Sequence, residues 1–279
     1  MPTFRHGKNT RLLVDQYDLS TNFRQVQMNM QQDAPETTAF LAVVKSYVVG
    51  LPDGRLSLSG MYAADAGSGA DAILSPMLNT STPAVVSYLP EGAPGASLAG
   101  GASRRAYSMQ GYLGNYQVQA AVADVVGMSA DFVNAGTLGL RSGQLLMDGT
   151  ATGGASFAIA TNAYVSGSTT VAVIDRGAGA DTTNALSGYV AIHLTNVAFT
   201  AGTSPTLTAV SVDSGTSTGL ASKTAVTASP TIAVAGSGTY SAFLTFSATV
   251  VQRYVGIGLT TSGAPTAVAL SGAITFTTV

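Results

Sequence analysis

The sequence lacks cysteine and tryptophan and carries very little charge. Without cysteine the chain has no disulfide, no thiolate-bound zinc and no thiol nucleophile. Charged residues make up 9% of the 279 positions, against about a quarter in an average soluble domain. The net charge of −2 argues against a protein built to grip nucleic acid, which needs clustered lysine and arginine. So sparse a charge predicts that much of the surface is covered, and self-assembly is the cover that we expect.

Long apolar runs are also missing. No unbroken apolar stretch approaches the ~20 residues that span a bilayer, so we expect no membrane insertion. The first sixteen residues include basic side chains but lack the apolar segment of a signal peptide. The sequence therefore predicts neither a membrane-spanning segment nor a signal peptide.

The residues that are abundant favour strands. Glycine occurs 32 times, and alanine, valine, serine and threonine supply most of the rest, which is typical of many short strands and turns. Charge nearly disappears beyond residue 149, and strand-like runs recur there about every ten residues. We predict a mainly β chain with a first domain over residues 1–148 and an all-β sandwich domain over residues 150–279. The runs in the second domain are 156–164, 171–175, 190–199, 206–212, 231–235, 242–252, 254–259 and 268–276.

The first half adds one helix to its strands. We expect strands at 11–19 and at 22–30, the second with a bulge, and a short helix between Tyr62 and Asn79. Ser68 is the predicted cap, Asp71 lies in the first turn, and Pro76 should end or restart the helix. Two further strands are predicted at 107–123 and 125–134. Their expected inward residues are Tyr112, Tyr116, Val118, Met128 and Phe132.

The stretch at residues 35–62 organises the rest of the chain. A polar segment leads into an apolar run at 40–44, and the pattern of residues 50–54 predicts a tight turn. Leu56 and Leu58 then alternate with polar neighbours, which is typical of a half-buried strand. We interpret residues 33–49 as an extended excursion that meets another subunit.

The same stretch resembles the major tail tube proteins of tailed bacteriophages. The matching segments are Glu36-Thr37-Thr38-Ala39-Phe40, Lys45-Ser46-Tyr47, Gly50-Leu51-Pro52-Asp53 and Ser57-Leu58-Ser59-Gly60. Farther along, Thr203-Ser204-Pro205, Arg253-Tyr254-Val255 and Ser262-Gly263-Ala264-Pro265 resemble a C-terminal β-domain that is often fused to tail tube domains. The resemblance implies a tube domain built as a β-sandwich or barrel with one short helix, and an outer β-sandwich domain.

The resemblance also implies a function. Subunits would form stacked rings, with six copies each, or three if residues 150–279 were a second tube domain. The rings would form a conduit through which double-stranded DNA passes without specific binding. Implied partners are other copies of the chain, a tape measure protein and tail-end and neck proteins, in a virion assembled in the bacterial cytoplasm. Candidate inter-ring residues are Glu36, Thr37, Thr38, Phe40, Lys45 and Tyr47, and candidates in an N-terminal arm at residues 1–14 are Phe4, Arg5, Lys8 and Arg11.

Two other classes of protein remain open at this point. A capsid decoration or tail fibre protein would share the glycine- and threonine-rich β composition, but would stay a small oligomer. A carbohydrate-binding or hydrolytic β-protein would need a row of exposed aromatic rings or a catalytic pair, and tryptophan is absent.

Catalytic and metal motifs are weak. Residues 215–219 match G-x-S-x-G, but they lie in a polar loop without the following helix that a nucleophile elbow needs. We expect His193 to be a surface histidine on its strand, since alternation places it opposite Ile192. The acid pairs Asp65/Asp71 and Asp175/Asp181 lack calcium-loop spacing, and Arg104-Arg105 is the only basic doublet of note. We expect no enzyme activity and no cofactor.

Overall fold

The computed structural model describes residues 7, 10–38, 43–48, 50, 52–65, 69–91, 105–120, 124–135, 139–152, 174–175, 186–199, 206–215, 224–225, 234–235, 240–248, 254–262 and 265–277. This part of the chain is mainly β with one short α-helix, which confirms the predicted class. The first elements are β1 (Arg11–Val14), β2 (Tyr17–Asp18), β3 (Phe23–Gln32), β4 (Pro52–Met61), α1 (Ala70–Leu74) with a 3-10 helix (Ser75–Asn79), β5 (Ala84–Leu89), β6 (Arg105–Gln119), β7 (Gly127–Asn134) and β8 (Arg141–Thr152). The later strands are β9 (Ile174–Asp175), β10 (Leu186–Phe199), β11 (Thr206–Gly215), β12 (Thr224–Ala225), β13 (Val234–Ala235), β14 (Tyr240–Ala248), β15 (Tyr254–Ser262) and β16 (Pro265–Thr277).

The predicted strands of the second half are largely present. Seven of the eight predicted runs overlap strands β9, β10, β11, β13, β14, β15 and β16. The eighth, at 156–164, lies outside the described residues.

The chain forms two compact units that are discontinuous in sequence. Unit 1 comprises Met1–Asp18, Ser87–Ser108 and Ser142–Val279, and unit 2 comprises Leu19–Val86 and Met109–Arg141. Strands β5 and β6 contribute residues to both units. The predicted division between residues 148 and 150 falls within β8, and that division stays a prediction.

Unit 1 is built around β10, which pairs with β14 on one side and β16 on the other, both antiparallel. The strand path runs β14-β10-β16-β8-β6-β5-β1-β2, and a second sheet has the order β12-β11-β15-β9, with β13 also on β11. Leu13, Leu89, Ala106 and Leu145 form a buried cluster. Burial of such aliphatic side chains is the main favourable term in the folding of this unit.

Unit 2 contains an antiparallel sheet in the order β3-β4-β7-β6. Leu56 and Leu58 point to its buried face, while Arg55 and Ser59 are exposed, which confirms the predicted alternation in β4. Phe132 of β7 lies opposite Leu56 on β4 and opposite Leu113 on β6, at the centre of the buried face. A register shift between Phe23 and Gln25 is the bulge that was expected in β3.

The predicted turn at residues 50–54 is wrong. Pro52, Asp53 and Gly54 belong to β4 and pair with Gln32, Gln31 and Met30. Glycine is required at position 54 because a Cβ there would overlap the side chain of Leu140. Gly54 is therefore a site where β4 closely approaches Leu140 within unit 2. Glycine is typical of turns as well as of close approaches, which is why the sequence alone predicted a turn.

The helix is present, but its predicted cap is wrong. The N-cap of α1 is Gly69, which makes no side-chain capping hydrogen bond, and Ser68 itself lies outside the described residues. The helix ends before Pro76, where a 3-10 helix takes over, as the proline predicts. Asp71 accepts hydrogen bonds from the hydroxyls of Tyr62, just after β4, at 3.2 Å and of Tyr116 on β6 at 2.7 Å, which tie the helix to the sheet of unit 2.

Two of the predicted inward residues in β6 are wrong. Met128 and Phe132 of β7 are buried, but Tyr112 and Val118 are 41% and 47% exposed. Tyr112 lies on the opposite face from Leu113, and a register shift follows between Leu113 and Asn115. Val118 pairs with buried Met128 yet lies near the end of its strand, so alternation alone could not predict its exposure.

Candidate assembly surfaces

The excursion between β3 and β4 is a β-hairpin, which we call the 33–50 hairpin. Backbone hydrogen bonds run from Gly50 N to Asp33 O at 2.6 Å, from Val48 N to Pro35 O at 3.1 Å, and from Thr37 N to Ser46 O at 2.8 Å. Glu36 and Tyr47 form an antiparallel bridge. A Cβ at position 50 would lie 2.7 Å from the carbonyl oxygen of Asp33, so the two ends of the hairpin can approach only with glycine there.

Polar side chains hold the two arms of the 33–50 hairpin together. Lys45 Nζ donates to Glu36 Oε2 at 3.0 Å, and the hydroxyls of Thr37 and Ser46 lie 3.2 Å apart. The Ser46 backbone N–H donates to Thr38 Oγ1 at 3.1 Å. The Lys45 ammonium, with a further hydrogen bond from Thr38, lowers the pKa of Glu36. Because the pair is solvent-exposed, its contribution to stability is small.

Apolar side chains on the same hairpin face water. Val43 is 98% exposed and Val44 is 77% exposed, and Tyr47 and Val48 are more than half exposed. Two adjacent valines at a hairpin tip cost free energy in water unless a partner covers them. The hairpin thus offers an apolar tip on a polar, internally bonded stem.

The predicted contact residues differ in where the structure places them. Glu36, Thr37, Thr38, Lys45 and Tyr47 meet in the 33–50 hairpin, while Phe40 lies outside the described residues. Phe4, Arg5 and Lys8 also lie outside them.

Arg11 belongs to the predicted strand at 11–19 and not to a free arm over residues 1–14. It begins β1, and its guanidinium lies 2.6 Å from the carboxylate of Asp18 on β2. The following residues, Leu12 to Val14, are buried. The last four residues of the expected arm are therefore part of unit 1.

One face of the unit 2 sheet is polar and open, and we call it the open face. Its residues are Gln25, Gln27, Asn29 and Gln31 of β3; Asp53, Arg55, Ser57 and Ser59 of β4; Ser129, Asp131 and Val133 of β7; and Tyr112, Asn115 and Gln117 of β6. Amides and hydroxyls dominate it, and Arg55 forms an ion pair with Asp131 at 2.8 Å. The face therefore presents hydrogen-bonding groups with almost no net charge.

Asp131 is fixed at the middle of the open face. Burial on its own would raise the pKa of this carboxyl, but hydrogen bonds from Ser57, Arg55 and Asn115 outweigh burial, and the pKa is lowered. The Asn115 amide lies 3.3 Å from Asp131 Oδ2. The acid thus stays ionised and paired at neutral pH.

The edge of the unit 2 sheet is open at β3. Within the described residues this ten-residue strand has β4 as its one strand neighbour. A long edge with exposed backbone groups is a template for pairing with another chain. On the far side of the sheet, three successive antiparallel pairings make β6 antiparallel to β3.

The prediction that His193 is a surface residue is wrong. The side chain is 1% exposed, its Nδ1 lies 2.7 Å from the Asp15 carbonyl oxygen, and its Nε2 lies 2.7 Å from Ser87 Oγ. Ser87 in turn lies 2.7 Å from Ser108 Oγ. Strand β10 buries both of its faces from Val190 to His193, so alternation carried no information about exposure there. Sequence reasoning also missed Ser87 and Ser108, because their serine hydroxyls carry no local signal of burial.

The weak chemical motifs gain no support from the described residues. No group of three or more histidines, cysteines or acids suited to a metal ion occurs among them. Asp71 is engaged by two tyrosines, whereas Asp181, Arg104 and residues 216–219 lie outside the described part. Arg105 is exposed at the start of β6.

No helix in the described part of the chain is long and apolar enough to cross a bilayer.

Comparison with known proteins gives weak structural likenesses and nothing at the level of sequence families. No protein-family model and no curated protein matches the chain.

Half of the chain is similar to 99% of a chain from the virion of a native gene transfer agent particle, with 10% identity and a TM-score of 0.39. A chain of the six-fold symmetrised anti-feeding prophage baseplate matches 51% of this chain and 97% of its own length, with 11% identity and a TM-score of 0.37. The Dit protein of SPP1, described as a paradigm of the hub adsorption apparatus in phages infecting Gram-positive hosts, matches 95% of this chain and 99% of its own, with 11% identity and a TM-score of 0.35. Likenesses of this size do not establish a shared fold.

Proposed function

We propose that the chain is a structural subunit of a self-assembling tube. In particular, it is the major tail tube subunit of a tailed bacteriophage, a virion component without enzymatic activity. The observation that carries the proposal is the unit 2 sheet, which has an open polar face, a buried apolar face and a long exposed edge strand. The sequence resemblance to tail tube proteins over residues 36–60 lies on the same sheet and its hairpin.

The strand directions of this sheet suit ring closure. Joining β3 of one copy to β6 of the next keeps every pairing antiparallel, because β3 and β6 run in opposite directions. Every copy then has the same orientation, as a head-to-tail cyclic ring requires, and the open edge at β3 is covered. Six copies are expected, and three would require residues 150–279 to act as a second tube domain.

The two faces of the sheet suggest which one lines the lumen. Phe132 and its neighbours make the apolar face part of the unit 2 core, so the open face would meet the water of the channel. Its paired Arg55 and Asp131 and its neutral amides give duplex DNA no cluster of cations to bind. Double-stranded DNA would therefore pass without being held. A tape measure protein and tail-end and neck proteins would be the other partners, in a virion assembled in the host cytoplasm.

Cysteine cross-linking tests the ring directly, because the chain has no cysteine of its own. Gln25, Gln27 or Asn29 of β3 is changed to Cys together with Gln117→Cys of β6. Within one copy these strands are three spacings apart, about 14 Å, which is too far for a disulfide. We expect oxidation to give a ladder on a non-reducing gel whose largest species is the closed ring, so the ladder also counts the copies.

Single-cysteine variants are the matched control, since each should give no species larger than a dimer. Assembled material in which no double variant gives a ladder would contradict the β3-to-β6 junction. A small soluble oligomer without rings or filaments in electron micrographs would favour a decoration or fibre protein instead.

The apolar tip of the 33–50 hairpin is the proposed contact between stacked rings. We expect the double variant Val43→Ser/Val44→Ser to form rings that stack poorly, because the tip loses the apolar area that stacking would bury. Tube length in negative-stain micrographs measures the effect. Val125→Ser, at another exposed valine of unit 2, is the control and should leave tube length unchanged. Normal tubes from the double variant would remove the hairpin from the ring-to-ring contact.

A further inference from the structure

A buried polar chain in unit 1 fastens the turn between β1 and β2. Asp15 occupies that turn in the left-handed region, with φ of +49°. Its carbonyl oxygen lies 2.7 Å from His193 Nδ1 on β10, and its carboxylate accepts a hydrogen bond from Ser241 on β14 at 3.1 Å. Two residues far along the chain therefore hold one short turn near the N-terminus.

The geometry determines the tautomer of the neutral imidazole. A carbonyl oxygen only accepts, so His193 Nδ1 must carry the proton. Nε2 is then bare and accepts the hydroxyl proton of Ser87, whose oxygen accepts from Ser108. The neutral ring satisfies every link of this chain, and burial lowers the pKa of His193 to about 4.

We propose that His193 is an acid-sensitive latch, which holds the Asp15 turn against β10 while neutral and releases it on taking up a proton. A cation at this site would be almost fully buried, with both ring nitrogens facing neutral oxygen atoms of Asp15 and Ser87. Burying an uncompensated charge is costly, so proton uptake favours the state in which the turn lifts and water reaches the ring.

The charged groups around the latch lie on the elements packed against it. Arg11 on β1 opposes a positive charge on His193, and Asp18 on β2 favours one, but the two form an ion pair with each other. The Asp15 carboxylate is engaged by Ser241. The effects of these charged groups offset one another, and burial remains the largest influence on the pKa of His193.

Nitrogen-15 NMR of the histidine rings tests the latch on the full chain. The sequence has only two histidines, so His6→Gln leaves the His193 signals alone in the spectrum. We expect the Nδ1–H tautomer at pH 7, and proton uptake well below the ordinary histidine range. Amide exchange protection of β1 and β2, corrected for the intrinsic pH dependence, should fall as pH decreases from about 6.5 to about 4, about tenfold per pH unit. A protonated His193 with β1 and β2 still protected would overturn the proposal.

Three variants separate the histidine from the carboxylates. His193→Asn does not titrate, so its protection of β1 and β2 should not change between pH 6.5 and pH 4. If that variant fails to fold, Ser87→Ala serves instead, and should move release to higher pH because Nε2 loses the donor that favours the neutral ring. Asp15→Asn tolerates the left-handed turn and keeps the carbonyl acceptor, so its release should stay at the wild-type pH. Loss of the transition in Asp15→Asn would assign it to the carboxylate and overturn the latch.

Discussion

Strands β4 of unit 2 and β10 of unit 1 have similar alternating patterns in sequence but differ in how they are buried. In β4 the leucines at 56 and 58 are buried, and Arg55 and Ser59 between and beyond them are exposed. In β10 the four consecutive residues from Val190 to His193 are all buried. The first strand has one face in the core, and the second is covered on both faces.

This difference shows what a polar residue in a strand means. On a one-sided strand it faces water and needs no partner within the protein. On a two-sided strand it must find partners, as His193 does with Asp15 and Ser87. The same alternating pattern therefore corresponds to exposed polar side chains in β4 and to a buried, hydrogen-bonded histidine in β10.

The largest effect should come from the buried face of the one-sided sheet. Phe132→Ala is expected to lower the free energy of unfolding by about 3–5 kcal/mol, since the ring is fully buried between Leu56 and Leu113. Val133→Ala, on the other face of the same strand, should cost about 0.5 kcal/mol or less. Urea unfolding measures both. Equal costs at 132 and 133 would mean that the sheet is covered on both faces.

A smaller effect should come from the polar chain of unit 1. Ser87→Ala removes the donor to His193 and leaves Ser108 without its acceptor, so we expect a loss of about 1–3 kcal/mol. Ser59→Ala removes the same hydroxyl from the exposed face of β4 and should change stability by less than about 0.5 kcal/mol. Thermal and urea unfolding of the two variants compare the faces directly. Similar losses of stability in Ser87→Ala and Ser59→Ala would show that the hydrogen bonds around β10 contribute no more than an exposed hydroxyl does.

The pH dependence of unit 1 should also depend on His193. Because the pKa of the folded state lies below the ordinary value, the unfolded chain binds the proton first as pH falls. Stability should therefore decline between about pH 6.5 and pH 4, by up to about 3 kcal/mol, and level off below that range. His193→Asn should remove this part of the decline in unfolding measured across the same range. An unchanged slope in that variant would place the titrating group elsewhere.

The smallest effect should come from the ion pair on the open face. Asp131→Asn is expected to cost about 0.2–1 kcal/mol at pH 7, since Arg55 is half exposed. The lowered pKa of Asp131 means that its contribution is present above the ordinary aspartate value and is lost as pH falls through the folded value. The variant and the parent should thus converge in acid, as chemical unfolding at pH 7 and pH 3 would show. A difference as large at pH 3 as at pH 7 would point to packing and not to charge.

Much of the architecture could be predicted from sequence because it depends on local patterns. The strand runs of the second half, the bulge in β3 and the break of the helix at Pro76 all follow from periodicity and backbone chemistry. The candidate hairpin residues Glu36, Lys45 and Tyr47 lie close together for the same reason, since they are near in sequence. What failed depended on distant contacts, as at Gly54 beside Leu140 and at His193 beside Asp15 and Ser87.

The sequence by itself determined that this chain is mainly β, poor in charge and equipped with an excursion before β4 in which a polar segment leads into an apolar run. These properties follow from composition and from spacing over a few residues, which the chain holds in any context. The tertiary structure alone decided which strands have one buried face and which have two, and it brought Asp15, Ser87 and His193 together from three distant segments. Burial is a property of what packs on a strand from elsewhere in the chain, and no local pattern encodes it.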